Sequence, residues 1–177
     1  MANAEENYLF TRPVLDFVRV SIEFCKYVEQ CGDKNREEFI DVMRGLLPML
    51  YLKASLLTEV PVWTEVELSH ITEEDYDYIR NAVARVMGEY DDYLDVFVED
   101  FKYSDRPVLR TVSEDLADLY QVLRELAEAY RYGHEDSMYA ALHETREQFE
   151  TYWGQTALNA LRALHDARFG KREELEP

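Results

Sequence analysis

Glycine and proline are scarce in this chain of 177 residues, with six and five copies. A sandwich of many hairpins needs more turn chemistry than that, so helices are favoured. Basic residues are also few, 19 Lys and Arg against 37 Asp and Glu, for a formal charge of −18. Such a surface repels phosphate backbones and anionic headgroups, which argues against general nucleic-acid binding and against membrane attachment. A protein partner with a basic surface, or solubility alone, remains as a use for the charge. The two cysteines, Cys25 and Cys31, lie on different faces of one expected helix and should not pair. With no His nearby they make no zinc site. Long apolar runs are missing as well: the longest, Leu46 to Leu57, is broken by Pro48, Lys53 and Ser55. No stretch approaches a membrane span. The opening Met1-Ala-Asn-Ala-Glu-Glu6 lacks a basic region followed by an apolar core, so no export leader is expected. Reduced thiols and the lack of an expected leader make the cytoplasm the expected location.

Apolar residues are nonetheless 47 % of the chain, enough for one domain with a sizeable core. Thirteen Tyr, eight Phe and two Trp fall mostly at helical spacing and read as core or half-buried groups. Residues 1–10 read as a loose N-terminal arm. Thr11 and Pro13 then open a helix whose stripe is Val14, Phe17, Val18, Ser21, Phe24, Cys25 and Val28, ended by Cys31-Gly-Asp33. Asn35 caps a second, with Glu38 as its box partner and Phe39, Val42, Met43, Leu46, Leu47 and Leu50 as its apolar face. Pro48 removes one backbone bond there and predicts a kink or a break. After a connection over 58–71, Thr72 caps a third helix carrying Tyr76, Ile79, Val83 and Val86, ended by Gly88. Tyr93, Val96, Phe97 and Phe101 suit a short fourth helix, and Ser104 to Pro107 a loop. Thr111 or Ser113 starts the fifth, running through Leu116, Leu119, Leu123 and Leu126 to Gly133. A long C-terminal helix follows from Glu135 to about Arg168, with Gly154 as a point of bending. Residues 170–177 form a charged tail expected to fray. The expectation is thus an all-α fold: one domain over 11–169, a bundle of about six helices.

Acidic groups are the first candidates for chemistry. On a helix, carboxylates at i and i+3 or i+4 share a face and can grip one ion, and magnesium takes hard oxygen ligands of this kind. Asp115 and Asp118 have that spacing, as do Glu114 and Asp118. A second set, Asp91-Asp-Tyr-Leu-Asp95, lies about twenty residues upstream. Two such sets facing each other across a bundle, with Asp92, Asp95, Asp115 and Asp118 as ligands, would resemble the all-α nucleoside-triphosphate pyrophosphohydrolases, which hold magnesium on two acidic helix pairs. The resemblance implies a magnesium-dependent phosphohydrolase acting on a nucleotide or similar phosphate ester. The upstream set here is all Asp rather than the Glu pair of that family. Carboxylates in a first helical turn also have a structural use, because they meet free N–H groups and the helix dipole.

Asp91-Asp92-x-x-Asp95 also resembles the diphosphate-binding motif of all-α prenyl-transfer enzymes, but this chain is too short for that cavity. Glu67-Leu-Ser-His70 is a single Glu-x-x-His where a di-iron site needs two. His143-Glu144 lacks the second His of a zinc protease helix. There is no Gly-rich phosphate loop and no Gly-x-Ser-x-Gly elbow. On the last helix, Trp153, Arg162 and His165 are candidates for an anion or partner contact, set against plain packing by Trp153 and C-terminal charge complementarity by His165.

Three segments together are similar to one bacterial family: Leu47-Pro-Met-Leu-Tyr-Leu-Lys-Ala-Ser55, Ser113-Glu-Asp-Leu-Ala-Asp-Leu-Tyr120, and Tyr152-Trp-Gly continuing to Ala160-Leu-Arg-Ala-Leu-His165. The family is domain of unknown function 5063, and the likeness spans about residues 10–168. It implies a compact bacterial cytoplasmic protein with a helical fold and carries no activity with it. The expected function is a non-enzymatic, acidic, helical protein-interaction domain. The alternatives are the magnesium-dependent phosphohydrolase and a structural homo-oligomer joined through an exposed apolar helix face. No cofactor is expected, and magnesium enters only under the first alternative.

Overall fold

Each apolar stripe becomes a helix, and the helix ends are set by the side chains that cap them. The computed structural model describes residues 7–61, 65–68, 70–95 and 107–170. Helix α1 is Arg12–Glu29, α2 is Arg36–Ser55 and α3 is Glu73–Met87. Strands β1, Asp92–Asp95, and β2, Val108–Thr111, follow. Then come α4, Val112–Tyr132, α5, Glu135–Gln148, a π-helical turn over Phe149–Trp153, and α6, Gly154–Phe169. The Asn35 side chain caps α2 by accepting from the amides of Glu37 and Glu38. Thr72 and Asp75 cap α3 reciprocally. Thr111 caps α4 by accepting from the Glu114 amide at 3.2 Å. Gly88 and Gly133 end α3 and α4 at φ of 56° and 76°, where a side chain would be strained.

The all-helical bundle holds, with departures in detail. The long C-terminal helix runs as expected, as α5, the π turn and α6 in one continuous rod, and with α1 to α4 it makes five long helices among the described residues. The short helix expected around Tyr93 is replaced at Asp92–Asp95 by a strand, paired antiparallel with β2 in the register Asp92 with Thr111, Tyr93 with Arg110, Leu94 with Leu109 and Asp95 with Val108. Val96, Phe97 and Phe101 lie outside the described residues, as do residues 1–6, Trp63 and 171–177. Helix α2 is unbroken through Pro48, whose ring is on the exposed side, where water can meet the carbonyl that loses its donor. At the other end, Tyr8–Phe10 is a 3-10 turn rather than part of a loose arm. Leu9 is fully buried, and its carbonyl accepts from the Tyr130 hydroxyl at 3.0 Å.

Helix α4 is central. It packs against α1, α3, α5 and α6, and it buries Leu116, Leu119, Leu123 and Leu126. Helix α2 packs against α1 and α6. The connection before α3 is tied to α4 by Glu125, whose carboxylate accepts from the amides of His70 and Ile71 and meets His70 Nδ1 at 2.7 Å. Trp153 is fully buried, stacked on Phe17 and tilted on Phe149. The cysteines are buried free thiols, and burial holds both above the ordinary thiol range. No helix among the described residues is long and apolar enough to cross a membrane.

Candidate functional site

The segments that carry the two acidic sets lie side by side, at the junction of the β1–β2 hairpin with the start of α4. The Asp91 carboxylate accepts from both the amide and the hydroxyl of Ser113, and the Asp91 carbonyl accepts from the Val112 amide at 2.9 Å. Burial pushes the Asp91 carboxyl up, against the two Ser113 bonds that pull it down. One step along the strand, the Tyr93 hydroxyl donates to Asp115. From β2, Arg110 Nη2 lies 3.0 Å from Asp115 Oδ1, and Nη1 lies 3.8 Å from Asp95 Oδ2. Asn159 of α6 donates to the same Asp95 oxygen at 3.4 Å.

Asp115 is 1 % exposed, and burial pushes its carboxyl up to about 6. The Tyr93 bond and the Arg110 charge resist that rise without cancelling it. Asp118, one turn further on, is held by two phenols: Tyr76 donates to Oδ1 at 2.9 Å and Tyr152 to Oδ2 at 2.6 Å. Burial and the neighbouring carboxylate keep both phenols above their ordinary range, so they stay protonated donors.

The four carboxylates read as metal ligands are therefore distributed as follows. Asp95 and Asp115 approach one point, and the Arg110 guanidinium occupies it. Asp118 is turned to its tyrosines. Asp92 is exposed and projects from the other face of β1, because successive strand residues alternate. Residues three apart share a face on a helix and oppose each other on a strand, and this strand separates Asp92 from Asp95. Among the described residues, no group of three or more His, Cys, Asp or Glu is placed to hold a metal ion.

Two concavities adjoin this junction. A cleft of about 980 Å³ lies between β1 and the second half of α6. Its walls include Asp92, Tyr93, Leu94 and Asp95 on one side, and Leu158, Arg162, His165 and Asp166 on the other. A smaller one of about 360 Å³ lies beside Asp118, with Gln121, Glu125, Glu144, Gln148 and Tyr152 around it. Arg162 and His165 thus share one cleft with Asp92 and Asp95, a grouping that chain distance conceals. Trp153 does not join them. Its indole N–H donates to the Thr145 carbonyl at 2.8 Å in the core, so it has no surface to offer a partner. Arg110, Tyr76 and Tyr93 carry the site's hydrogen bonds and were not singled out by spacing for that role. Nothing about an arginine just after Pro107 signals that it will reach back to α4.

The family model described as domain of unknown function (DUF5063) matches residues 9–170. Among solved structures, the chain is similar to protein BF1032 from Bacteroides fragilis, a structural genomics target. That likeness has 32 % identity, a TM-score of 0.84, and covers 96 % of this chain and 100 % of the other. No curated protein matches the chain.

Proposed function

The chain belongs to the family described as domain of unknown function (DUF5063), and for it we propose a non-enzymatic role as a protein-interaction domain. Its docking surface is the cleft between β1 and α6, and its ligand is an extended segment of a partner protein that alternates apolar and basic side chains. One observation carries this reading. The buried carboxylates of the junction are all engaged by Ser113, Tyr93, Arg110, Tyr76 and Tyr152, while the accessible cleft beside them exposes Asp92, Asp166 and Leu94.

All four residues of β1 border the cleft, which is the signature of a strand edge rather than one strand face. Among the described residues β1 has one sheet neighbour, and no described backbone group pairs with the donors and acceptors of its other edge. An added strand satisfies them, and alternate side chains of that strand then reach the two faces. Leu94, 57 % exposed, and Leu158 supply the apolar contacts, and Asp92 and Asp166 the charge for Lys or Arg. Arg162 and His165 complete the α6 wall.

The test uses two labelled peptides of equal length, one alternating Leu and Lys, the other alternating Leu and Glu, read by fluorescence anisotropy. The Lys peptide should bind at low salt and weaken as salt rises, and the Glu peptide should not bind. Leu94→Asp makes the protein more acidic, so a merely non-specific attraction for Lys would strengthen with it. The reading expects the opposite, a loss of about tenfold or more in affinity. Unchanged or tighter binding by that variant, or no binding of the Lys peptide by the parent, would sink it. A magnesium-dependent phosphohydrolase would require Arg110 to leave its two carboxylates; a rise in melting temperature on adding magnesium alone would favour that alternative.

A further inference from the structure

On the footing that the β1–α6 cleft is the docking surface, we infer that the segment it holds carries one acidic side chain two residues from a basic one, and that Arg162 selects it. Besides His165, which packs on Phe169, the charged side chains bordering the cleft are Arg44, Asp92, Asp95, Arg162 and Asp166. Two of these are committed within the fold. Arg44 pairs with Asp41 at 2.9 Å and lies over the Phe169 ring. Asp95 is held by Arg110 and Asn159. Asp92, Arg162 and Asp166 are exposed and form no ion pair among the described residues. The charge left for a ligand is thus mixed, one cation between two carboxylates.

The two walls run in opposite directions. Asn159 reaches Asp95 at one end, at 3.4 Å, and Tyr90 and Ala167 border the cleft at the other. An extended segment paired on the edge of β1 therefore lies along α6 as well. Leu158, Arg162 and Asp166 follow at steps of four residues, about 6 Å of helix each. Side chains on one face of a strand repeat every two residues, about 6.6 Å apart. The spacings agree over three positions, so side chains i, i+2 and i+4 of the segment meet Leu158, Arg162 and Asp166 in turn. The complement of that wall reads apolar, acidic, basic. Arg162 and Asp166 are four apart on α6, but the cation comes first, which is the weaker order for a helix pair, and they do not pair. A segment with basic charge alone sets a Lys against this guanidinium. A carboxylate there matches its planar donors.

The probes are the labelled peptide alternating Leu and Lys, amidated at its C-terminus, and a set in which Glu replaces one residue at a time. Against a protein of charge −18, each replacement should weaken binding by charge alone. At the one position that meets Arg162 it should instead tighten binding at low salt, by about threefold or more. Arg162→Gln should reverse that preference: it should bind the Leu–Lys peptide more tightly, since a like charge is gone, and the Glu peptide less tightly. Its melting temperature is the control for folding. Glu that weakens binding at every position overturns the inference. The docking surface then still stands if the Leu–Lys peptide binds the parent and is lost on Leu94→Asp. An advantage for Glu that persists in Arg162→Gln also overturns the inference. No binding of any of the peptides by the parent removes the docking surface, and the role of Arg162 with it.

Discussion

Ser113 donates twice to Asp91, through its amide at 2.8 Å and its hydroxyl at 2.6 Å. The carboxylate thereby serves as a second cap on α4, beside Thr111, and fastens the entry of the hairpin to the start of the helix. Asp91→Ala should cost about 1–2 kcal/mol of unfolding free energy, the range for a lost cap. Asp91→Asn keeps acceptors and should cost less. Urea unfolding of the three proteins checks the order; equal stabilities would show that the cap contributes nothing.

Asp115 gives a pH dependence of defined sign. Its ordinary value is 3.8, and burial pushes it up to about 6 in the fold. Between those values the unfolded chain releases a proton that the native chain keeps. The stability tied to protonated Asp115 is therefore fully present below about pH 4 and is lost as pH rises to about 6. Relative to Asp115→Asn, the parent should lose about 3 kcal/mol across that window, at about 1.4 kcal/mol per pH unit. Taking the difference between the two proteins removes groups that titrate alike in both. Asp16 and Asp75 act oppositely: their values are lowered, by Lys53 and by Thr72, so their contribution is lost as pH falls through the acid range. A parent-minus-variant difference that stays flat or grows with pH would contradict the assignment.

Among the described residues, Arg110 is the one cation that faces both Asp95 and Asp115. Removing it leaves a buried carboxylate without its charge partner, which costs about 3–5 kcal/mol in a fully buried pair. Arg110 is about one-third exposed, so Arg110→Met should cost nearer 2 kcal/mol at neutral pH. Combined with Asp115→Asn, the loss should be smaller than the sum of the two single losses. Additive losses in urea unfolding would mean that the pair is not coupled.

Gly154 follows the π turn, and a Cβ there would lie 2.5 Å from the Phe149 carbonyl oxygen and 2.9 Å from its ring. In an ordinary helix Gly→Ala stabilises by up to about 1 kcal/mol. Here the added carbon has backbone in its way, so Gly154→Ala should destabilise by about 1–3 kcal/mol. The sign is the readout, and a melting temperature above that of the parent would contradict the close approach.

Helices α1 to α4 were legible because each shows several turns of apolar residues at steps of three and four, framed by Thr72, Asn35, Thr111 and two glycines. The hairpin was not, since its strands are four residues each and pair Asp92 with Thr111 far along the chain. Alternation over four positions is too short a pattern to oppose a helical one. That error propagated to the site. Asp92 and Asp95 were grouped by a helical period and are separated by a strand's. Asp115 and Asp118 were placed correctly on their helix, but their partners come from β1, β2, α3 and the π turn, which only tertiary packing brings together. Trp153 misled as a contact because an aromatic beside glycine suits an exposed helix face and a close-packed core equally well.

The π turn at Phe149–Trp153 has a consequence for how this molecule can vary. It holds one residue more than an α-helical turn would, and each residue of a helix is worth about 100° of rotation. Helix α5 packs on α4, whereas α6 packs on both α2 and α4, and the extra residue shifts the phase between the two along one rod. A chain shortened by a single residue there would keep every side chain of the cleft. It would nonetheless swing Leu158, Arg162 and His165 round the rod, away from β1. Length at this point, rather than residue identity, is what keeps the cleft's two walls face to face.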